Sequence, residues 1–518
     1  METLVVLTTF NSRYIHASFG LRYLYANLAE LKPRTRLLEF TLQQNPMEVA
    51  EKIVALNPRI VGIGVYIWNA VQSRELVSIL KRIAPEIKIV LGGPEVSYET
   101  EIQTICQQAD YVIQGESDFL FRELCQKILA GEQAPLKIIK GPLPDLNQLV
   151  LPYSEYTDED LKHRVLYVEA SRGCPYKCEY CLSSLDEKVR NFELSRFLKE
   201  MDALITRGAR QFKFVDRTFN LSPAISTGIL QFFLERMHLG LFLHFEMVPD
   251  RLPDGLKALI EKFPFGSLQF EIGVQTWSVE TAARVSRRQN YTKIEENFKY
   301  LRSQTGVHLH ADLIAGLPGE PLESFAKGFD ALARLVPHEI QVGILKRLRG
   351  TPIVRHDAEW AMVYDENPPY RVLRTKVMSF EELQSIARFS KYLDLIANSG
   401  NFKNAFKLIS EWAWKQHSRQ SFFWGFYELT EFMAVRHAQS FGIALPALVE
   451  SVFRFLVDRA GIAAVEASEA LLQDYAFGAV RRDPPKFLLE ASGGSLVSGL
   501  VTSQSVSVLP ARQARHLN

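Results

Sequence analysis

Long apolar runs and an excess of either charge are both missing from this chain of 518 residues. No segment approaches the roughly 18 uninterrupted apolar residues of a membrane span, and the start of the sequence lacks the basic and apolar stretches of a secretory signal. The formal net charge is +1, so no broad basic surface indicates a nucleic-acid partner. We therefore expect a cytoplasmic protein with no membrane span and no clear nucleic-acid-binding signal.

Cysteine is also scarce, yet three of the five cysteines, Cys174, Cys178 and Cys181, lie close together in a CxxxCxxC motif. Because a fully protein-ligated 4Fe-4S cluster takes four cysteines, three thiolates would leave one iron open to a small molecule. A zinc knuckle would need a second pair of Cys or His ligands, which does not follow this motif. The spacing therefore favours an iron–sulfur cluster over a knuckle and over three unrelated core cysteines. Cys106 and Cys125 are predicted to lie in helix cores.

The length predicts about three domains, because single hydrophobic cores stop growing at about 250–300 residues. Residues 1–130 alternate short apolar segments with helical patterns, which predicts a doubly wound parallel sheet with its ligand at the carboxyl ends of the strands. Residues 131–160 are rich in proline and acid and predict a linker. Strand–helix alternation resumes from 161 to 350. Residues 351–490 predict a mainly helical domain of unassigned role, and residues 491–518 predict a disordered tail.

The cysteine motif, with the aromatic Tyr180 before its third cysteine, resembles that of the radical S-adenosylmethionine (SAM) superfamily. The resemblance implies that residues 161–350 form a partial (β/α)6 barrel with its active site at the carboxyl ends of the strands. It also implies that SAM binds the open iron and is cleaved to methionine and a 5'-deoxyadenosyl radical. The segment from Asp312 to Glu320 resembles the Asp-Leu-Ile-x-Gly-Leu-Pro-Gly-Glu stretch of the same families.

The resemblance further implies SAM-binding residues along successive strands. Asp216 and Thr218 stand where the family's Gly-Gly-Glu would contact the amino group of SAM, although a helix cap explains them equally well. Arg284 and Arg287 are candidates for the methionine carboxylate, and a solvated basic face is the alternative. Glu271 is a charged residue in an apolar strand, which needs a partner. The implied cofactor-binding residues are Tyr180, Asp216, Thr218, Glu246, Glu271, Gln275, Arg284, Asp312 and Gly316.

Four loops within residues 1–130 resemble those of the cobalamin-binding domain that precedes many radical SAM enzymes. The implied cobalamin contacts are Gly64, Val65, Gly92, Gly93 and Gly115. The double glycine would admit a close ligand, although a tight turn also explains it. The Asp-x-His-x-x-Gly signature, whose histidine ligates cobalt in methionine-synthase-type domains, is absent from the sequence. We therefore expect cobalamin without a histidine on cobalt, and we interpret the loop residue His16 as a hydrogen-bonding surface residue.

The two resemblances together imply an enzyme with a 4Fe-4S cluster, SAM and cobalamin that transfers a methyl group to an unactivated carbon. A cobalamin-dependent radical cyclase or rearrangement enzyme is one alternative, and a non-catalytic cobalamin- or redox-responsive binding protein is another. A methylthiotransferase is disfavoured because that family carries an N-terminal domain with three cluster-binding cysteines, whereas residues 1–130 contain only Cys106 and Cys125. The implied partners are an electron donor such as a flavodoxin or ferredoxin and an unknown organic substrate.

Overall fold

The computed structural model describes residues 2–132, 134–186, 188–476, 484–493 and 510–516. Two six-stranded parallel sheets form its centre, and a set of helices follows them in the chain. The predicted α/β class is confirmed, with a doubly wound sheet first, a partial barrel next and a helical region last. Within the described ranges, no helix is both long and apolar enough to cross a membrane.

The first sheet is covered on both faces, as its continuous apolar strands require. Neighbouring residues of its first strand enter different cores, because Val6 packs into one and Val5 into the other. Its strands are β1 Val5–Asn11, β2 Thr35–Thr41, β3 Ile60–Gly64, β4 Lys88–Gly92, β5 Tyr111–Gln114 and β6 Ile138–Lys140. Its helices are α1 Phe19–Ala26, α2 Pro46–Val54, α3 Ala70–Ile83, α4 Thr104–Gln108 and α5 Leu120–Leu129. The strand order is β2-β1-β3-β4-β5-β6, so the carboxyl ends of all six strands lie along one edge.

The second sheet forms the partial barrel, and a two-stranded ribbon brackets its first loop. The strands from here on are β7 Leu166–Val168, β8 Ser171–Arg172, β9 Arg190–Asn191, β10 Gln211–Phe214, β11 Phe242–Met247, β12 Leu268–Gln275, β13 His308–Ala315, β14 Glu339–Ile344, β15 Val363–Tyr364 and β16 Val372–Arg374. The barrel strands stand in the order β14-β13-β12-β11-β10-β7, and each adjacent pair is parallel. The helices from α6 to α12 are α6 Asp158–His163, α7 Leu194–Thr206, α8 Pro223–Leu234, α9 Asp254–Ile260, α10 Val279–Arg284, α11 Tyr291–Gln304 and α12 Leu322–Ala333.

Only one face of this second sheet is apolar. Buried residues such as Phe212, Phe245 and Phe270 alternate with polar residues along β10 to β13. Parallel strands that are covered on both faces have continuous apolar sequences, so this alternation marks a face that borders solvent or a ligand. The inner face of the partial barrel is therefore built as a polar cavity.

The last helices pack against the barrel through aromatic rings. Phe329 of α12 contacts Phe422 and Phe423, with ring centroids 5.9 and 5.7 Å apart, and Phe389 lies 4.9 Å from Phe423. These aromatic side chains form core. The remaining helices are α13 Phe380–Leu393, α14 Lys403–Lys415, α15 Phe422–Arg436, α16 Leu445–Asp458, α17 Ala464–Ala476, α18 Lys486–Ala491 and α19 Ala511–His516, with a π-helical turn at Asp394–Asn398.

Two boundary predictions differ from the structure. The predicted linker 131–160 contains β6, which pairs with β5 and completes the first sheet. The predicted disordered tail contains α19, whose Gln513 donates to Gln269 at 2.7 Å and whose Arg512 lies 2.7 Å from Glu339. Both segments are too short to show a periodic pattern, and long-range pairing holds them. Residues 494–509 and 517–518 of the predicted tail lie outside the described ranges.

A buried ion network joins the first sheet to the segment before the barrel. Arg22 of α1 lies 2.9 Å from Glu39 and 2.8 Å from Asp160, and Arg164 lies 2.9 Å from the same Glu39. All four side chains are nearly inaccessible to solvent. The two arginines therefore neutralise the two carboxylates in a place where water cannot solvate these charges.

A second cluster ties the loop after β4 to the loop after β14. Glu99 accepts from Arg347 at 3.1 Å and from Arg349 at 3.0 Å, while Glu95 contacts Arg349 at 2.9 Å and Tyr370 at 2.5 Å. The first domain is thus fastened at the rim of the barrel, over the carboxyl ends of the strands.

Candidate active site

The three motif cysteines lie on the loop that leaves the first barrel strand. All three are free thiols, and all three line one cavity of about 280 Å³ at the carboxyl ends of the barrel strands. Gly173 opens the loop with φ +97°, and a Cβ there would collide with the carbonyl oxygen of Lys188. On the far side of the loop, buried Glu179 lies 2.8 Å from His356. The donor set therefore fits three irons of a 4Fe-4S cluster.

Most of the predicted SAM-binding residues border this same cavity. They come from β11, β12 and β13, from the loop after β10 and from the cysteine loop, which the barrel brings to one rim. The predicted residues in the lining are Tyr180, Thr218, Glu246, Glu271, Gln275 and Asp312. Their roles toward SAM remain predictions.

Asp216, Arg284 and Gly316 have other surroundings. Asp216 accepts from the backbone of Ala170 at 3.0 Å and from Ser171 at 2.6 Å, so it joins the end of β10 to the end of β7. Burial raises the pKa of this carboxyl to about 7. Asp216 therefore joins two strand ends and does not line the cysteine cavity, and its role toward SAM remains a prediction.

The other two residues pack against protein groups. The Arg284 guanidinium lies 4.4 Å from the ring centroid of Trp360 and donates to the Pro318 carbonyl at 2.8 Å. A Cβ on Gly316 would lie 2.6 Å from a methyl group of Val372, so this glycine admits a neighbouring side chain. Neither residue borders the cysteine cavity.

Of the two candidate arginines, Arg287 lines the cysteine cavity. Its Nη1 lies 3.4 Å from Cys178 Sγ and 3.3 Å from Tyr180 Oη. Burial alone would lower the pKa of this guanidinium, but Tyr180 and Cys178 outweigh it and raise the pKa above its ordinary value. Helix α10 ends at Arg284, and Ser286 takes φ +56°, so the following arginine turns into the cavity.

Glu271 already has partners within the barrel. Its Oε2 lies 3.0 Å from His244 Nε2 and 3.3 Å from Lys213 Nζ. Burial would raise the pKa of Glu271, but the hydrogen bond with His244 and the charge of Lys213 outweigh burial and hold the pKa below its usual range. The carboxyl is therefore a carboxylate that faces the cavity from a fixed position.

Two further carboxyl groups face the cavity under different electrostatic conditions. Burial raises the pKa of Glu246, and Arg217 at 3.4 Å opposes that shift. Burial also raises the pKa of Asp312, which lies 3.3 Å from His310. Lys213, His244 and His310 were not among the predicted residues, although the alternation of polar and apolar residues in their strands is visible in the sequence.

A second cavity lies at the carboxyl edge of the first sheet and is bordered by the four predicted glycines Gly64, Gly92, Gly93 and Gly115. A Cβ on Gly92 would meet only Ser117 Oγ at 3.8 Å and Ile113 O at 3.9 Å. A side chain at that position would therefore extend into the cavity, which fits a ligand that approaches the backbone.

Gly93, Val65 and His16 have structural explanations. A Cβ on Gly93 would lie 2.5 Å from the carbonyl oxygen of Val65. The missing side chain therefore lets two loops approach each other closely. Val65 is buried, and its N–H donates to Gly92 at 2.8 Å. His16 lies 2.6 Å from the hydroxyl of Tyr167 on β7. The described lining of the cavity contains no histidine.

Arg172 links the glycine cavity to the start of the cysteine loop. It borders the glycine cavity and stands two residues before Cys174. Its guanidinium contacts Glu116 at 2.8 Å, Asp118 at 3.0 Å and Glu169 at 2.9 Å. Glu116 also pairs with Arg190. Because Arg172 belongs to β8 and Arg190 to β9, one carboxylate of the first domain holds both ends of the cysteine loop.

Three family models match consecutive segments of the chain. The B12 binding domain matches residues 5–125, and the Radical SAM superfamily matches residues 168–332. The chain joins a B12-binding domain to a radical SAM domain. A protein family of unknown function, DUF4080, matches residues 358–496. Both predicted resemblances are confirmed, and the third domain of this B12-binding radical SAM protein corresponds to a family without an assigned function.

The curated relatives match at low identity and include methyltransferases, ribosomal protein uS12 methylthiotransferases and an anaerobic magnesium-protoporphyrin IX monomethyl ester cyclase. An uncharacterized methyltransferase of Pyrococcus horikoshii is 27% identical over 201 residues, which are 34% of this chain and 43% of that protein. The cobalamin-dependent radical SAM methyltransferase TokK of Streptomyces tokunonensis is 23% identical over 346 residues, or 58% of this chain and 48% of that protein. The chain spans about half the length of the curated relatives it matches.

One solved fold covers most of the chain. The radical SAM methyltransferase TsrM from Kitasatospora setae, with tryptophan substrate and a SAM analogue bound, aligns with a TM-score of 0.58 at 18% identity. The alignment covers 69% of this chain and 76% of TsrM. At this identity the likeness shows a common fold.

Proposed function

We propose that this protein is a radical SAM enzyme that uses a 4Fe-4S cluster and cobalamin to transfer a methyl group to a carbon of an organic substrate. One observation carries the proposal: Arg172 lines the glycine cavity and stands two residues before Cys174, so the loop that bears the three cysteines starts at the border of the candidate cobalamin site. The methyltransferase relatives and the fold shared with TsrM support the reaction type.

The residues that would hold each group are separate. Cys174, Cys178 and Cys181 would hold the cluster, and the loops at Gly64 and Gly92 would hold cobalamin. When bound, the cluster with SAM supplies a one-electron cleavage of the sulfonium, and cobalamin supplies a methyl group. The side chains of the chain itself bind and orient these groups.

Charge placement in the cysteine cavity suits SAM. Glu246, Glu271 and Asp312 can accept hydrogen bonds from ribose hydroxyls and from an ammonium group, since carboxylates accept at both oxygens. Arg287 supplies positive charge beside Cys178 and Tyr180, where three thiolates would concentrate negative charge. The loop after β4 and its ion cluster with Arg349 cover the rim and exclude water.

The reaction needs an external one-electron donor, and we propose a flavodoxin or ferredoxin for that role. Such donors act in a reducing compartment such as the cytoplasm. There the cysteine thiols also stay reduced and can bind a cluster.

The decisive experiment uses anaerobically reconstituted protein with cobalamin and SAM that carries a deuterated methyl group. After chemical reduction, the proposal expects 5'-deoxyadenosine and a deuterated methyl group on a carbon of the substrate, both measured by mass spectrometry. Formation of 5'-deoxyadenosine with a product that lacks the label would indicate a cyclase or rearrangement enzyme. No 5'-deoxyadenosine from cluster-loaded protein with any tested metabolite would indicate a non-catalytic binding protein.

A further inference from the structure

A groove of about 440 Å³ runs along β14, the edge strand of the barrel, and reaches helix α13. Its lining includes Tyr180, Gln275 and Asp312, which also line the cysteine cavity. The groove therefore opens onto the cavity from the side where the partial barrel does not close. A volume of this size accommodates a small organic molecule.

The groove is positively charged. Lys346, Arg371 and Lys391 line it, and Asp312 is the acidic residue among its described lining. In the described part of the chain, none of the three cations lies within 4.0 Å of a carboxylate oxygen, which is the distance limit for an ion pair. Their neighbours at the same rim do have carboxylate partners, since Arg347 and Arg349 both contact Glu99.

Two of these cations are held beside each other by the backbone. Lys346 and Arg371 face one another across an isolated antiparallel bridge, and Leu345 accepts from Val372 at 2.8 Å next to it. Like charges in directly opposed positions destabilise a strand pair. Partial burial of the ammonium group and then the charge of Arg371 lower the pKa of Lys346. Both side chains are exposed, so a solute can reach them from outside the barrel.

We propose that this groove receives the substrate and that Lys346 and Arg371 bind an anionic group of it, a carboxylate or a phosphate. An anion between the two cations relieves their repulsion, and the planar fork of arginine matches two oxygens of either group. The opposite end of the groove lies at Asp312 and Gln275, so the reacting carbon of such a substrate faces the cysteine cavity. That the bound molecule is a substrate rests on the proposed function. Anion binding itself does not require turnover.

Acylation of Lys346 reports on this site without any catalysis. Full-length, cofactor-loaded protein is treated with an amine-reactive acetyl ester, and modification of each lysine is followed by peptide mass spectrometry. Inorganic phosphate and acetate serve as the two probes, each compared with chloride at equal ionic strength. We expect one or both probes to slow acylation of Lys346 at least threefold and to leave exposed Lys327 unchanged. The probe that protects at the lower concentration identifies the anionic group.

Arg371→Gln should weaken the protection of Lys346 about tenfold in probe concentration, because a charge-assisted hydrogen bond is lost. Lys327→Gln, which removes an exposed charge elsewhere, should leave the protection unchanged. Equal acylation of Lys346 in phosphate, acetate and chloride would overturn the proposal. That result leaves SAM cleavage untouched, whereas failure of the proposed function would leave the protection in place.

Discussion

Cys174, Cys178 and Cys181 differ from the other two cysteines in their surroundings. The three line one cavity, whereas Cys106 and Cys125 are buried in helices of the first domain. Burial raises the pKa of Cys106 to about 12, so its thiol stays protonated. A protonated buried thiol is a poor metal ligand.

Replacement of any one of the three cavity cysteines by alanine should remove both the visible absorption of the cluster and SAM cleavage. Cys106→Ala and Cys125→Ala should leave both intact. Absorption spectra and 5'-deoxyadenosine release after anaerobic reconstitution measure the two effects. Retained cleavage in the Cys178→Ala protein would contradict the cluster assignment.

Glu271 is expected to matter for SAM affinity, because its fixed carboxylate faces the cavity. Removal of a hydrogen bond to a charged group costs about 1.5–3 kcal/mol, so Glu271→Ala should weaken SAM binding roughly tenfold to a hundredfold. Glu271→Gln should weaken it less, since an amide oxygen still accepts. Calorimetry under argon measures the affinity, with exposed Glu235→Ala as the control. Wild-type affinity in a folded, cluster-loaded Glu271→Ala protein would mean that the residue only holds Lys213 and His244 in place and does not contact SAM.

Gly92 offers a cleaner test of the cobalamin site than Gly93. Gly92→Leu should abolish cobalamin binding because the side chain would fill the cavity, whereas a side chain on Gly93 would break the loop contact with Val65. Gly255→Leu is the matched control, since a Cβ there meets no atom within 4 Å. Cobalamin absorbance that co-elutes with protein in gel filtration is the measurement. Unchanged binding by Gly92→Leu would place cobalamin elsewhere.

At the scale of elements, Glu116 should control how firmly the cysteine loop is held. Loss of its contacts with β8 and β9 should favour opening of the loop by roughly tenfold to a hundredfold. Glu116→Ala should therefore release iron faster to a chelator, Glu116→Gln should do so less, and Glu123→Ala, an exposed change in the same domain, should have no effect. Decay of the visible absorption gives the rate. Equal rates in Glu116→Ala and wild type would contradict this role.

The elements themselves could be predicted from the sequence, because each barrel strand is a short apolar segment followed by a helical pattern. The cysteine loop could be predicted because its ligands are neighbours in the chain. The contacts between Arg172 and Glu116 could not, since they join residues that are 56 positions apart. Arg284 and Arg287 could not be told apart from the sequence, because only the end of α10 at Arg284 and the turn at Ser286 direct Arg287 into the cavity.

At the scale of the whole molecule, the network around Arg22 should decide whether the first domain and the barrel segment stay joined. Arg22→Ala leaves the buried carboxylates of Glu39 and Asp160 with less positive charge beside them. Breaking such a buried pair costs about 3–5 kcal/mol. Arg34→Ala is the control, because its partner Glu2 is exposed and surface pairs contribute about 0–1 kcal/mol. Denaturant titration measures the free energy of unfolding. If Arg22→Ala lowers the free energy of unfolding no more than Arg34→Ala does, this network does not stabilise the protein measurably.

The polar inner face of the second sheet has a consequence for how much of this protein a cell retains. A sheet that turns Glu246, Glu271 and Asp312 toward a cavity forgoes the hydrophobic burial that an apolar face would contribute. Any group that binds only the folded chain restores stability by mass action, by about 2.7 kcal/mol at a concentration 100 times its dissociation constant. Chains that have not received their cofactors unfold more often and meet proteases more often. We therefore expect the supply of iron and cobalamin to set the lifetime of the protein as well as its activity.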